Sequence, residues 1–156
     1  MKLERTHRYC LDAGNDNCLV VGPDGEEHFV APATQRIPKL YIVSRQSELI
    51  PVYVGITAQP MAARLRLGLQ ADGQHGYHGY QWRGQPGLFL DIWCLKGANR
   101  EEFTVELECI EAEVVFLVRK KYGQWPEFQT EIHFRQSKKF HRDSAVRILQ
   151  QLQRNL

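Results

Sequence analysis

Two β-rich runs, residues 39–44 (Lys-Leu-Tyr-Ile-Val-Ser) and 51–57 (Pro-Val-Tyr-Val-Gly-Ile-Thr), are joined only by a short polar stretch that begins Arg45-Gln46-Ser47-Glu48. A link this short cannot carry a parallel crossover, so the two runs are expected to fold back as a hairpin. A third apolar run, Leu88 to Leu95, reads as a buried strand ended by Lys96-Gly97. An earlier hairpin is expected from residues 17–21 and 26–31, which bracket the turn residues Gly22-Pro23-Asp24-Gly25.

Between and after these strands the periodicity changes to that of helices. Residues 59–70 open on Gln59-Pro60 and place Met61, Leu65, Leu67 and Leu69 among small and basic residues, a helix with proline near its first turn. Residues 100–122 form a second helical stretch, with Val105, Cys109, Ala112, Phe116 and Arg119 tracing one stripe and Gly123 ending it. A last helix is expected over 141–154 through Ala145, Ile148, Leu149 and Leu152. The glycine-rich stretch 71–86, with His75, His78, Tyr77, Tyr80 and Trp82, reads as a long loop or a broken helix. The fold class is α/β of the α+β kind: a mainly antiparallel central sheet flanked by helices, with an N-terminal β-hairpin extension.

At 156 residues the chain fits one domain and buries roughly two thirds of its unfolded surface, so no staples are needed for a core. We divide it into an extension and connector over 1–38, a core over 39–122 and a basic segment with a terminal helix over 123–156. Cys10, Cys18, Cys94 and Cys109 lack the paired spacing of a zinc site and are expected to be reduced thiols. No run of 18 apolar residues and no secretory-type leader is present, which points to a cytoplasmic location.

Net charge is only +2, but its distribution is uneven. Residues 101–113 hold six glutamates and no basic residue, whereas 114–156 hold nine Lys or Arg against three acidic residues. A positive flank beside an acidic centre suits an enzyme that holds a phosphate backbone next to a cation-binding carboxylate. A solvated basic helix would look the same by charge alone.

Tyr41 and Tyr53 lie one on each run of the central hairpin, the second within Tyr53-Val54-Gly55-Ile56-Thr57, and Arg64 follows in the next helix. This order resembles the GIY-YIG nuclease family, with Lys39-Leu40-Tyr41 standing where Gly-Ile-Tyr is usual. The resemblance covers residues 39–122, just over half the chain. It implies a GIY-YIG-like fold and a metal-dependent endonuclease hydrolysing DNA, with restriction, repair or mobile-element duty all compatible. It also implies one Mg2+ or Mn2+ ion bound at a helix glutamate, an arginine on the phosphate, and tyrosines that orient or deprotonate water.

Carried onto this chain, the catalytic set is Tyr41, Tyr53, Arg64 and Glu113, with Glu113 also the metal ligand. Glu113 is preferred because the family glutamate precedes two large apolar residues, here Phe116 and Leu117; Glu111, before Val114 and Val115, is the alternative. Arg66 competes with Arg64 but lies about 200° around the helix from it. Candidate nucleic-acid contacts are Lys39, Thr57, Arg66, His75, His78, Lys120, Lys121, Arg135, Lys138 and Lys139, with Arg142 beside them. The expected partner is double-stranded DNA, and a homodimer would bring two sites to one duplex. A non-catalytic nucleic-acid-binding protein on a nuclease-like scaffold is the competing reading.

Overall fold

The computed structural model describes residues 2–13, 18–96 and 100–154. Among them five strands form one antiparallel sheet: β1 (Lys2–Ala13), β2 (Cys18–Val21), β3 (Lys39–Arg45), β4 (Pro51–Thr57) and β5 (Leu88–Lys96), in the order β2-β1-β5-β3-β4. Three helices accompany it: α1 (Met61–Gln70), α2 (Arg100–Tyr122) and α3 (Lys139–Leu152). A single 3-10 turn, Gln74–Gly76, interrupts the long loop after α1. No helix among the described residues is long and apolar enough to cross a membrane.

The sheet is covered on both faces, which is why β3 and β5 read as nearly continuous apolar runs. Period-two alternation along β3 sends Tyr41 and Val43 to one side, with Met61, Leu65 and Leu69 of α1 and with Tyr80 and Trp82 of the following loop. Leu40 and Ile42 go to the other side, with Leu107, Ile110, Val114 and Val115 of α2 and Ala145, Ile148 and Leu152 of α3. The three layers are therefore α1 with its loop, the sheet, and the α2–α3 pair.

The first 13 residues hold the main departure from the sequence reading. Instead of an N-terminal hairpin, β1 runs through the sheet interior, pairing β2 on one side and β5 on the other. Residues 26–31 form no strand; Phe29 packs edge-on against the Tyr9 ring at 4.9 Å. Asn17, the first residue of the expected hairpin, lies outside the described residues. β1 escapes pattern recognition because it carries Arg5, His7 and Arg8 in a buried sheet.

The reason those charges are tolerated is Asp91 on β5, which is fully buried. Arg5 donates to its carboxylate through Nε at 2.9 Å and through Nη2, and Arg8 Nε contacts both carboxylate oxygens at 3.1 Å. The pairing register shifts between Arg5 and His7, a bulge at Thr6 that turns Arg5 and Arg8 to the same face. Their outer nitrogens then donate to the carbonyls of Gln151 (2.8 Å), Leu152 (2.7 Å) and Arg154 (2.9 Å) at the end of α3. Two cations thus satisfy both a buried anion and a helix C-terminus.

The stripe expected on α2 is also corrected. Leu107, Ile110, Val114 and Val115 face the sheet, whereas Val105 and Phe116 are 45% and 48% exposed. α2 is apolar around much more than one stripe, and contact with β3, β4 and α3 selects the face that is buried. Cys109 and Ala112 are buried too, and the Cys109 thiol points at the Gln136 carbonyl of the chain that follows α2.

Replacing Asp91 with Ala leaves two guanidinium groups buried without their anion. Loss of one partner of such a network costs about 3–5 kcal/mol, so Asp91→Ala is expected to lower the unfolding free energy by that amount, read as a lower urea midpoint. An unchanged midpoint would show that β1 is held by packing alone.

Candidate functional site

The β3–β4 register sets Tyr41 opposite Gly55 and Val43 opposite Tyr53, which puts both phenols on the α1 side of the sheet. Their ring centroids are 6.0 Å apart. Gly55 is required by space: a Cβ there would lie 2.6 Å from the Tyr41 hydroxyl and 2.8 Å from the Tyr53 ring. The Tyr-Val-Gly triplet therefore has a steric meaning, since only a missing side chain lets the two rings share one face of the hairpin.

Arg64, three residues past Met61 on α1, enters this cluster from the side. Its Nε donates to the Tyr41 hydroxyl at 3.3 Å and its Nη1 to the Tyr77 hydroxyl at 3.1 Å, while Nη2 has no hydrogen-bond partner among the described residues. Tyr80 completes the grip: its hydroxyl is 2.8 Å from that of Tyr41, and the Arg64 guanidinium carbon lies 5.4 Å from the Tyr80 ring centroid. Tyr80 reaches that position because its ring lies on Gly68 of α1, where a Cβ would be 2.1 Å from it, and because its amide donates to the Gly68 carbonyl at 2.9 Å. Arg66, on the opposite side of α1, is exposed.

The wall across from Arg64 comes from residues after α2. Phe128 donates its amide to the Val52 carbonyl at 2.9 Å, and the Gln129 side chain accepts from Val54 N–H (2.9 Å) and donates to Val54 C=O (3.1 Å). One side-chain amide thereby does for the β4 edge what a sixth strand would do. Between the two walls lies a cavity of about 650 Å3 bordered by Tyr53, Arg64, His78, Glu111, Gln129 and His133, among others.

Glu111, not Glu113, is the α2 carboxylate that borders this cavity. The two are about 200° apart on the helix, and Glu113 instead receives a hydrogen bond from Ser137 on the segment leading into α3. Glu111 makes no hydrogen bond or ion pair to a described residue. Burial, then the nearby Glu108, pushes its carboxyl up to about 8 against the partial relief of Arg64. Burial likewise raises the phenols of Tyr41, Tyr53 and Tyr80 above the ordinary tyrosine value. Burial thus favours the neutral phenol at all three positions.

Several expected nucleic-acid contacts lie elsewhere. Lys39 is wholly buried, donating Nζ to the carbonyls of Gln35 (2.7 Å), Ile37 (2.7 Å) and Gln59 (2.9 Å), so it ties the connector to the start of α1 and is closed to a phosphate. Burial pulls its ammonium down to about 8. Thr57 Oγ1 accepts the Gln59 amide at 3.0 Å. Arg135 pairs with Glu108 at 2.6 Å, Lys138 with Glu106 at 3.2 Å and Lys139 with Asp143 at 2.6 Å, while Arg142 donates to the Ser137 carbonyl at 3.0 Å. Lys120 and Lys121 border a separate groove between α2 and α3. The side chain of His75 lies outside what is described.

The structure thus brings together Tyr41, Tyr53, Arg64 and His78 from the expected set with Glu111, its alternative carboxylate, and adds Tyr77, Tyr80, Gln129 and His133. The signal for Glu111 was its place on α2; Tyr80 and Gln129 act through tertiary contacts with Gly68 and Val54 that no local spacing announces. Among the described residues no group of three or more His, Cys, Asp or Glu side chains is placed to hold a metal ion.

Gly55→Ala is expected to cost about 1–3 kcal/mol by overpacking and to displace the tyrosine pair, read as a lower thermal midpoint. Glu111 gives a pH signature whose sign follows from its raised value. Between about 4.5 and about 8 the folded state holds a proton that the unfolded chain has released, so stability falls as pH rises through that window. Glu111→Gln should match wild type near the acid end and exceed it at the alkaline end, by on the order of a few kcal/mol after screening. Parallel stability curves for the two proteins would show that the Glu111 carboxyl is not desolvated.

The chain matches no protein-family model, no curated protein and no solved structure in the comparisons with known proteins.

Proposed function

We propose that this protein is a divalent-cation-dependent endonuclease acting on DNA phosphodiester bonds in the manner of the GIY-YIG family, with Glu111 in the role of the cation-binding carboxylate. The observation that carries the reading is the convergence of Tyr53, Arg64 and Glu111 on one cavity, with Tyr41 hydrogen-bonded to Arg64 behind it. That set joins a phosphate-binding cation, hydroxyl donors and a carboxylate, drawn from the strands and helices on which the sequence resemblance rests.

Each residue has a definable task. Arg64 has two nitrogens engaged by phenols, which hold the guanidinium plane still and leave Nη2 to donate to a phosphate oxygen. Such prior orientation means that no side-chain ordering is needed when charge develops on the phosphoryl group. Tyr53 borders the cavity as a neutral hydroxyl and orients a water without taking its proton. Tyr41 is buried behind it and acts as a positioning residue for Arg64.

Glu111 fits a single-carboxylate Mg2+ or Mn2+ site, because a desolvated carboxylate without another partner gains most from a cation, and water and substrate phosphate complete the shell of such ions. A cation held there would polarise a phosphoryl oxygen and lower the pKa of a water. Glu111 must lose its proton to bind the ion, so affinity is expected to rise with pH up to about 8.

The neutrality of Glu111 and of the three phenols also favours a second reading, a nucleic-acid-binding protein without hydrolysis. Plasmid cleavage with Mg2+, with Mn2+ and with chelator separates the two. Wild type is expected to nick DNA only with the cation, and Glu111→Gln and Arg64→Ala are each expected to lose roughly 100- to 1,000-fold in rate, while Glu113→Gln stays near wild type. Cleavage that survives Glu111→Gln would remove this carboxylate from the site. A folded wild type that binds DNA without cutting it supports the second reading.

A further inference from the structure

The chain between α2 and α3 forms one wall of the cavity through Phe128, Gln129, Thr130, Glu131 and His133. In sequence, Trp125 and Phe134 flank that wall. Their ring centroids are 6.3 Å apart, and they are 39% and 62% exposed. Arg119 of α2 lies over the Trp125 ring, its guanidinium carbon 4.9 Å from the centroid, and makes no ion pair with a described residue. Phe116, one turn earlier on the same face of α2, is 48% exposed.

Exposed aromatic rings this close together give up favourable burial unless something flat covers them. A neighbouring arginine, without an ion pair to a described residue and held over one ring, adds a cation beside the stacking surface. Rings that accept bases while an adjacent cation takes the backbone are the means by which proteins hold single-stranded nucleic acid. A continuous duplex keeps its bases inside the stack and offers these rings no face. The wall also makes the connection direct, since Phe134 follows His133, itself a cavity residue, in sequence.

We propose that Trp125, Phe134 and Arg119 form a platform for an unpaired nucleic-acid strand entering or leaving the cavity. Resting on the nuclease reading for the cavity itself, this makes the preferred substrate one with a single-stranded segment, such as a flap, a fork or a melted end. In this arrangement Trp125 and Phe134 stack on bases, Arg119 takes a backbone phosphate, and the reactive phosphodiester lies inward at Arg64.

Tryptophan emission tests the platform without any cleavage. Trp82 and Trp93 are fully buried, so Trp125 is the tryptophan that a base can reach. Titrating the wild-type protein in chelator with a thymidine dodecanucleotide is expected to quench its emission saturably, with an affinity that falls as salt rises. Phe134→Ala keeps the reporter and is expected to weaken binding by roughly tenfold or more, with Arg119→Ala also weaker. Trp125→Ala, followed by anisotropy of a labelled oligonucleotide, should show the same loss with an unchanged far-UV circular dichroism spectrum. No quenching, an unchanged Phe134→Ala affinity, or duplex binding as tight as single-strand binding would each overturn the proposal. Quenching in a protein that cuts nothing would leave the platform standing and remove the nuclease, whereas cleavage without quenching would do the reverse.

Discussion

Asp91 is the residue on which the architecture depends. It lies in the middle of β5, fully buried, with Arg5 and Arg8 from β1 on its carboxylate. A lone carboxylate there would be strongly disfavoured, and so would either arginine without it. Because the guanidinium groups also bond the final carbonyls of α3, the same contact fastens the N-terminal strand to the sheet and the C-terminal helix to both. Arg5 by itself bonds residues 86 and 146 positions further along the chain, and Arg8 likewise bonds Asp91 and Leu152.

The site lies on the opposite face of the sheet, over β3 and β4, and uses a different device. Glycine makes it possible at three positions: Gly55 leaves space for Tyr41 and Tyr53, Gly68 accepts the ring of Tyr80, and Gly79 lets the loop approach the Gly68 carbonyl. The result is an arginine fixed by three phenols before any ligand arrives. A cation fixed in advance is what the proposed role of Arg64 at a phosphate calls for, since it needs no reorganisation. The cost is local, since four tyrosines and an arginine are drawn into a loop-covered cluster instead of an aliphatic core.

Much of this could be read along the chain, and the exceptions share a cause. The β3–β4 hairpin, β5 and the three helices all follow from local pattern, as does the placement of Arg64 and Arg66 on opposite sides of α1, which needs only the helical repeat. β1 was missed because its polar residues are matched by Asp91 some 80 residues later, and no window on either segment contains both. On α2, Val105 and Phe116 have the same periodicity as the residues that do face the sheet. Periodicity names stripes; it does not say which stripe meets a neighbour.

The choice between Glu111 and Glu113 shows the same division. The sequence alone determined that a glutamate-bearing helix follows the tyrosine hairpin and the arginine helix, and that the segment after it is basic, because composition and short-range periodicity are properties of the chain itself. Only the tertiary structure decided which glutamate borders the cavity, that Lys39 is closed off among carbonyls, and that Tyr80 and Gln129 complete the walls. Those outcomes depend on the rotation of α2 about its axis and on loops that return to Gly68 and Val54, and such rotations and returns are set by packing between segments remote in sequence.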